Sequence, residues 1–115
     1  MNEMKRIAAV VRPEKLEPLK EALFQAKISG MTIYQVHGCG NQHGWKEYFR
    51  GSEVFLNMIP KVKFEIVVED DRVDEIVTLI TETARTGQVG DGKIFVSDIE
   101  RVIRVRTGEE DQAAV

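Results

Sequence analysis

Residues Lys61–Glu69 read KVKFEIVVE, in which apolar and charged side chains largely alternate. One face of an extended chain would carry the apolar set Val62, Phe64, Ile66 and Val68. The other face would carry Lys61, Lys63, Glu65 and Val67. Because successive side chains of a strand point to opposite sides, this pattern predicts a strand with one buried face.

A helix is predicted immediately after this strand. Its apolar residues recur at helical spacing and form one stripe, namely Val73, Ile76, Val77, Ile80 and Ala84. Asp70 and Asp71 precede the stripe and are predicted to cap the helix. A glycine-rich turn ends it, and a further strand is predicted from Lys93 to about Asp98.

The glycine-rich turn itself, Thr86–Lys93, reads TGQVGDGK. Gly87, Gly90 and Gly92 allow the backbone to take positive φ and to approach a ligand closely. Lys93 adds a cation where exposed amide groups already favour an anion. The turn therefore predicts a phosphate site, and the alternative is a tight helix-to-strand connection with a glycine cap.

The first half of the chain repeats the order strand, helix, strand. Lys5–Val11 is short, apolar and rich in β-branched residues, and an Arg-Pro pair ends it. A helix is predicted from about Lys15 to Lys27, with Pro18 tolerated in its first turn and Ser29-Gly30 as its stop. Met31–Gly38 is predicted as the second strand.

Residues Asn41–Ile59 lack periodicity and are predicted to form a long exposed loop. The segment contains Trp45, Tyr48, Phe49, Arg50 and Phe55. Exposed aromatic side chains beside an arginine are typical of a surface that binds a protein partner. A disordered insertion is the alternative.

The last segment, Arg101–Arg106, is predicted as a short strand with Arg104 and Arg106 on one face. The whole order then predicts an α+β domain with the split βαβ arrangement of ferredoxin-like proteins. Its antiparallel sheet would carry two helices on one face, within a single domain covering residues 1–115. The other sheet face needs a cover, which predicts self-association.

Composition narrows the classes of function. A chain of 115 residues with 43% hydrophobic residues suits one domain. A net charge of -3 without a basic run argues against a nucleic-acid partner. The single Cys39 excludes an internal disulfide framework, and the absence of a membrane-length apolar run or a signal peptide predicts a cytoplasmic protein.

Three cations are candidates for a polyphosphate site: Lys93, Arg104 and Arg106. The alternative for the two arginines is a solvated surface that pairs with Glu109, Glu110 and Asp111. His37 and His43 flank Cys39 without a third metal ligand, and no nucleophile or carboxylate pair marks a catalytic site. The protein is therefore predicted not to be an enzyme.

Four groups of residues in fixed order resemble the PII nitrogen signal-transduction proteins. They are Arg50–Glu53, Pro60–Lys63, Thr86-Gly87 with Gly90–Val96, and Arg101–Glu110. The resemblance extends from Met4 to Val115, and such a combination is more specific than any single motif. It implies a homotrimer that binds ATP or ADP in clefts between subunits and docks on target proteins through the long loop.

The resemblance also implies which residues bind the nucleotide. Lys93, Arg104 and Arg106 would hold the phosphates, and Glu65 would lie near the adenine. The other implied contacts are Thr32, Gly38, Gly40, Asn41, Gln42, Gly90, Asp91 and Gly92. Asn41 replaces an arginine common in the family.

A second implied ligand is 2-oxoglutarate, bound together with Mg²⁺ and ATP. A small dicarboxylate can chelate a metal already on the triphosphate, while Lys61 offsets its charge. The implied residues are Gln42, His43, Gly44 and Lys61, with Gln42 also on the metal.

The implied output is inhibition of an ammonium channel, which would recruit the cytoplasmic protein reversibly to the membrane. The implied partner-binding residues are Trp45, Tyr48, Phe49, Arg50 and Val54. Val54 replaces the tyrosine that many family members uridylylate, whereas Ser52 remains as a modification site. Regulation of nitrogenase or of a nitrogen-assimilation enzyme is the alternative output.

Two other classes share this fold. A ferredoxin-like RNA-binding module would need aromatic pairs on the first and third strands and an excess of basic over acidic residues. A trimeric metal-tolerance protein would need clustered soft ligands. The sequence offers neither feature.

Overall fold

The computed structural model describes residues 3–38 and 58–115 with their side chains, and the backbone alone of residues 46–49 and 52–55. Within these ranges the elements follow in the order β1 (Met4–Val11), α1 (Leu16–Gln25), β2 (Thr32–Gly38), β3 (Lys46–Phe49), β4 (Ser52–Phe55), β5 (Ile59–Glu69), α2 (Val73–Ala84) and β6 (Lys93–Ile99). Short 3-10 helices lie at Pro13–Lys15, Asp70–Arg72 and Asp111–Ala114.

The main sheet has the strand order β2-β5-β1-β6. Every neighbouring pair is antiparallel, with Ile7 opposite both Ile66 of β5 and Val96 of β6. The two crossovers each contain one helix, which gives the split βαβ arrangement. The predicted ferredoxin-like fold is confirmed.

The core lies between the helices and one face of the sheet. β5 supplies the four apolar residues of its alternating pattern, of which Phe64 is 1% exposed. α1 contributes Leu19 and Leu23, and α2 contributes Ile76 and Ile80, all fully buried. Each such side chain stabilises the fold by about 1.5–3 kcal/mol relative to an exposed position.

Both helices differ from prediction at one end. α1 ends at Gln25, two residues before the predicted end at Lys27. Lys27 itself takes the left-handed conformation, with φ 66°. The N–H of Ile28 then donates to the carbonyl of Leu23 at 2.9 Å, so the chain reverses before Ser29-Gly30.

The predicted aspartate cap of α2 is wrong. Its N-cap is Arg72, which makes no side-chain capping bond. Asp70 and Asp71 lie one turn earlier in a 3-10 helix, where the N–H of Val73 donates to the carbonyl of Asp70. The backbone therefore satisfies the donor that a side-chain cap would have taken.

The C-terminal segment is more compact than a strand. Ile103 forms an isolated antiparallel bridge with Glu110. Between them the N–H of Gly108, with φ 74°, donates to the carbonyl of Arg104 at 2.8 Å. This reversal places Arg106 in a turn, so the predicted alternation of Arg104 and Arg106 on one strand face does not apply.

The segment predicted as a long loop contains a two-stranded ribbon. β3 and β4 pair antiparallel, with Lys46 opposite Phe55 and Phe49 opposite Ser52. The aromatic residues that we interpreted as a docking surface also favour extended structure, which accounts for the difference.

The sheet face opposite the helices carries both charged and apolar side chains. Lys63 lies 5.5 Å from the ring centre of Tyr34 and is ion-paired with Glu65. On β6, Phe95 is 55% exposed on this face. In the described part of the chain, neither helix combines the length and the apolar character needed to cross a membrane.

Candidate functional site

The glycine-rich loop, residues 86–92, lies against the end of β1. Gly87, Gly90 and Gly92 have φ of 88°, 103° and 110°, which confirms the positive φ predicted for these glycines. A Cβ on Gly92 would lie 1.7 Å from the carbonyl oxygen of Val10. Only glycine fits at that position, both for conformation and for space.

The carboxylate of Asp91 holds the loop together from inside. Its Oδ2 accepts hydrogen bonds from the N–H groups of Thr86 and Gly87, both at 2.8 Å. Its Oδ1 accepts one from the Thr86 hydroxyl, whose oxygen accepts another from the N–H of Gln88 at 3.1 Å. These bonds, that of the Thr86 hydroxyl first, hold the pKa of Asp91 well below its ordinary value.

Arg12 attaches the loop to β1. Its Nε donates to Asp91 Oδ1 at 3.1 Å, and a terminal nitrogen donates to the carbonyl of Val89 at 2.8 Å. The sequence pattern identifies Arg12 only as the end of the first strand, because its partners lie almost 80 positions away. The available signal was an arginine placed directly after a buried strand.

Lys61 attaches the loop to β5. Its side chain is buried, and Nζ donates to the carbonyl of Gly90. Desolvation lowers the pKa of Lys61, and the nearby charge of Arg12 lowers it further. A Cβ on Gly38 would lie 3.4 Å from Lys61 Cγ, so the loop, Lys61 and the end of β2 are neighbours.

A cavity of about 600 Å³ opens towards the other end of β5. Thr32 and Glu65 lie opposite each other in its wall, on neighbouring strands. Arg104 lines the same cavity, and so does Arg6, which we had not singled out. Three residues predicted to contact the nucleotide are thereby brought together.

The predicted surface pairing of the C-terminal arginines is also present in part. The prediction concerned Arg104 and Arg106, and it is confirmed for Arg104, which is ion-paired with Glu109 at 2.9 Å. Glu110 is paired instead with Arg101, which was not part of that prediction. These pairs are exposed and easily exchanged for other partners. The pair with Glu109 therefore does not commit Arg104 to a single partner.

Lys93 and Arg104 lie towards opposite ends of the sheet. β6 starts at Lys93, opposite Val10, and ends at Ile99, opposite Met4. A strand of this length spans about 20 Å. Lys93 borders a separate cavity of about 220 Å³ that shares no lining residue with that of Arg104. Lys93 and Arg104 of one chain are therefore not brought together, which corrects the convergence expected of them.

Several predicted site residues lie outside the described residues, namely Gly40, Asn41, Gln42, His43, Gly44, Trp45 and Arg50. Tyr48, Phe49, Ser52 and Val54 lie in β3 and β4, where the backbone alone is described. In the part of the chain with described side chains, His, Cys, Asp and Glu form no group of three that could hold a metal ion.

The comparisons with known proteins agree with one another. The family model of "Nitrogen regulatory protein P-II" matches residues 4–109. The chain is 54% identical over 112 residues to Nitrogen regulatory protein P-II 1 of Escherichia coli K12, covering 97% of this chain and all of that protein. It is 52% identical, with the same coverage, to Nitrogen regulatory protein P-II of Pasteurella multocida.

A solved structure adds evidence at the level of the fold. The crystal structure of Arabidopsis thaliana PII bound to citrate matches with a TM-score of 0.78 at 38% identity. The match covers 98% of this chain and 92% of that one. The chain therefore belongs to the P-II family of nitrogen regulatory proteins, which are signal-transduction proteins and not enzymes.

Proposed function

We propose that this protein is a cytoplasmic homotrimer that senses ATP, ADP and 2-oxoglutarate and controls target proteins through residues 41–59. The observation that carries the proposal is the separation of the site into two parts. The loop with Lys93 lies at one end of the sheet, and Thr32, Glu65 and Arg104 lie around the cavity towards the other. A cleft between two copies of the chain brings one part against the other.

The chemistry of the two parts suits a nucleotide. Backbone N–H groups of a glycine-rich loop and the ammonium group of Lys93 favour phosphate oxygens. The cavity is large enough for a base and ribose, and the pair Thr32 and Glu65 offers a hydroxyl and a carboxylate for hydrogen bonds to them. Arg104 and Arg106 supply bidentate donors for the phosphates.

The sheet face opposite the helices supports the trimer. Phe95 and Tyr34 are both exposed there. Burial of such side chains against a second and third copy would stabilise the assembly by about 25 cal/mol per Å² of apolar surface. The assembly would also complete every site.

Mixed trimers test the position of the site. Lys93→Ala and Arg104→Ala should each weaken ATP and ADP binding by about 1.5–3 kcal/mol in calorimetry. If Lys93 and Arg104 of one site come from different copies, refolding the two variants together restores about one quarter of the sites to full affinity. If one chain supplied both residues, the mixture would bind no better than either variant, and the proposed site would be wrong.

2-Oxoglutarate is proposed as the second ligand, bound with Mg²⁺ and ATP by Gln42, His43, Gly44 and Lys61. The buried ammonium of Lys61 can offset a carboxylate charge. The Arabidopsis relative is bound to citrate, which is also a polycarboxylate. Calorimetry should find binding with Mg-ATP and none with ADP or without nucleotide. Equal binding to the nucleotide-free protein would contradict the role of the metal.

The proposed target is an ammonium channel, to which the protein is recruited at the cytoplasmic face of the membrane. Residues 41–59 follow β2 and directly precede Pro60 and Lys61. A ligand bound by the glycine-rich loop and Lys61 would therefore lie close to where this segment joins the sheet. Arg50→Ala should weaken channel binding by about 2 kcal/mol or more if Arg50 is an interface hot spot, with nucleotide affinity unchanged.

Two controls separate this target from the alternative. 2-Oxoglutarate with Mg-ATP should release the parent protein from channel-containing membranes, since a ligand shifts docking only by its differential affinity for the two states. Retention under those conditions would overturn channel control. Binding to nitrogenase-regulatory or nitrogen-assimilation enzymes instead would identify the alternative target, with Ser52 as a site where modification could adjust docking.

A further inference from the structure

Four donors inside the protein engage the side chain of Asp91. They are the N–H groups of Thr86 and Gly87, the hydroxyl of Thr86 and Nε of Arg12. A carboxylate that faced an anionic ligand would repel it. The side chain of Asp91 is therefore suited to shaping the loop and poorly suited to contacting a phosphate.

Two consecutive carbonyl groups of the loop are held by cations from the sheet. Arg12 binds the carbonyl of Val89, and Lys61 binds the carbonyl of Gly90. In a trans peptide the C=O and the following N–H point in opposite directions. The N–H groups of Gly90 and Asp91 are consequently directed away from Arg12 and Lys61.

Consecutive N–H groups with a common direction form a concave anion site. Arg12 controls the first of them through Val89 and bonds the side chain of Asp91 at the same time. We propose that Arg12 and Asp91 are positioning residues, which set the direction of the Gly90 and Asp91 amides before a phosphate binds. This proposal rests on the proposed nucleotide function. It means that the side chain of Asp91 shapes the loop and does not contact the nucleotide.

The proposal can be tested by measuring, without ligand, how much of the time the glycine-rich loop holds its ordered conformation. If a variant loop spends most of its time in other conformations, the apparent affinity falls by the fraction that is competent to bind. Hydrogen exchange of the Thr86 and Gly87 amides, which Asp91 protects, reports the remaining, open fraction. The competent fraction obtained from exchange should therefore account for the loss of ATP affinity.

The variants are Arg12→Gln and Asp91→Asn, with Lys5→Gln as the matched control. Lys5 pairs with Asp98 and also joins β1 to β6, but at the far end of the two strands. For each chain we would measure amide exchange without ligand, ATP affinity by calorimetry and the urea midpoint of unfolding.

We expect Arg12→Gln and Asp91→Asn to accelerate exchange at Thr86 and Gly87 and to weaken ATP binding about tenfold, the equivalent of one charged hydrogen bond. The competent fraction obtained from exchange should match that loss of affinity. Saturating ATP should return the exchange rates to those of the parent. Arg12→Lys, which keeps the charge, should recover part of both changes and serves if Arg12→Gln does not fold. Lys5→Gln should change neither.

Other outcomes overturn the inference. Weaker ATP binding with parental amide exchange would mean that Arg12 or Asp91 touches the nucleotide directly. Exchange that shows a mostly open loop together with parental affinity would mean that the order of the loop is irrelevant to binding. A parent protein that binds neither ATP nor ADP would overturn the proposed function itself, whereas a parent that binds and variants that bind equally well would overturn the positioning role alone.

Discussion

The two ends of the sheet differ in how their charged groups are used. At the loop end, Arg12, Lys61 and Asp91 bond to backbone groups of the loop and are at most about one-quarter exposed. At the cavity end, Arg104 is paired with the side chain of Glu109 on the surface. Charges committed to backbone groups fix a shape, whereas a surface ion pair can change partners at little cost. The loop is therefore preorganised, and the pair of Arg104 with Glu109 is adaptable.

The largest expected effect is that of Gly92→Ala. The added Cβ would clash with the carbonyl of Val10 at 1.7 Å, at a residue with φ 110°. We expect the free energy of unfolding to fall by about 3 kcal/mol or more, since both strain and displacement of backbone contribute.

Urea denaturation measures this effect against two glycine controls. Gly87→Ala shares the positive φ without a neighbouring atom within 4 Å and should cost about 1–2 kcal/mol. Gly30→Ala has neither constraint and should be close to neutral. Equal effects at Gly92 and Gly87 would show that the contact with β1 does not hold the loop.

Lys61→Met should have an intermediate effect. It leaves the carbonyl of Gly90 without its buried donor, and we expect a loss of about 1 kcal/mol in the free energy of unfolding. Lys63→Met is the matched control on the same strand face, because Lys63 has an ion pair with Glu65 and should cost less. A larger loss for Lys63 would contradict the difference between committed and exchangeable charges.

Acid should weaken the loop end through Asp91. The pKa of Asp91 is lowered in the folded protein, so its stabilising contribution is present above the ordinary value of 3.8 and is lost as the pH falls towards the folded value. Asp91→Asn lacks this group and should show a smaller loss of stability over that range. Unfolding curves at several acidic pH values compare the two, and parallel losses would contradict the assignment.

The smallest effect is expected at the cavity end. Glu109→Gln removes the partner of Arg104, and the free energy of unfolding should change by less than about 1 kcal/mol. Nucleotide affinity should rise slightly in calorimetry, because Arg104 would no longer have to break its ion pair with Glu109 before it binds the phosphates. A loss of affinity would mean that Glu109 itself contributes to the site.

Periodic segments could be predicted from the sequence because burial on one face dictates their pattern. The alternation of β5 and the stripe of α2 both identified core residues correctly. The 3-10 helix at Asp70–Arg72 was missed, since the capping preference of aspartate does not reveal which backbone groups are already satisfied.

Without the family resemblance, which linked Thr32, Glu65 and Arg104, the site was predictable only where its residues are close in sequence. The loop glycines took the expected conformations because the requirement is local. Arg12 was missed, and Lys93 and Arg104 were expected together although a strand separates them. Neighbours in sequence can lie at opposite ends of a sheet, and long-range pairs leave no local pattern.

The bond between Arg12 and Asp91 also determines when the loop can take shape during synthesis. A chain emerging from the ribosome has β1 early, but it acquires Asp91 only after α2 has been made. Contacts between distant positions form late, because a long segment must be ordered before they can close. A chain whose synthesis has not reached Asp91 therefore cannot form this bond, and the loop takes its shape only after α2 has been made.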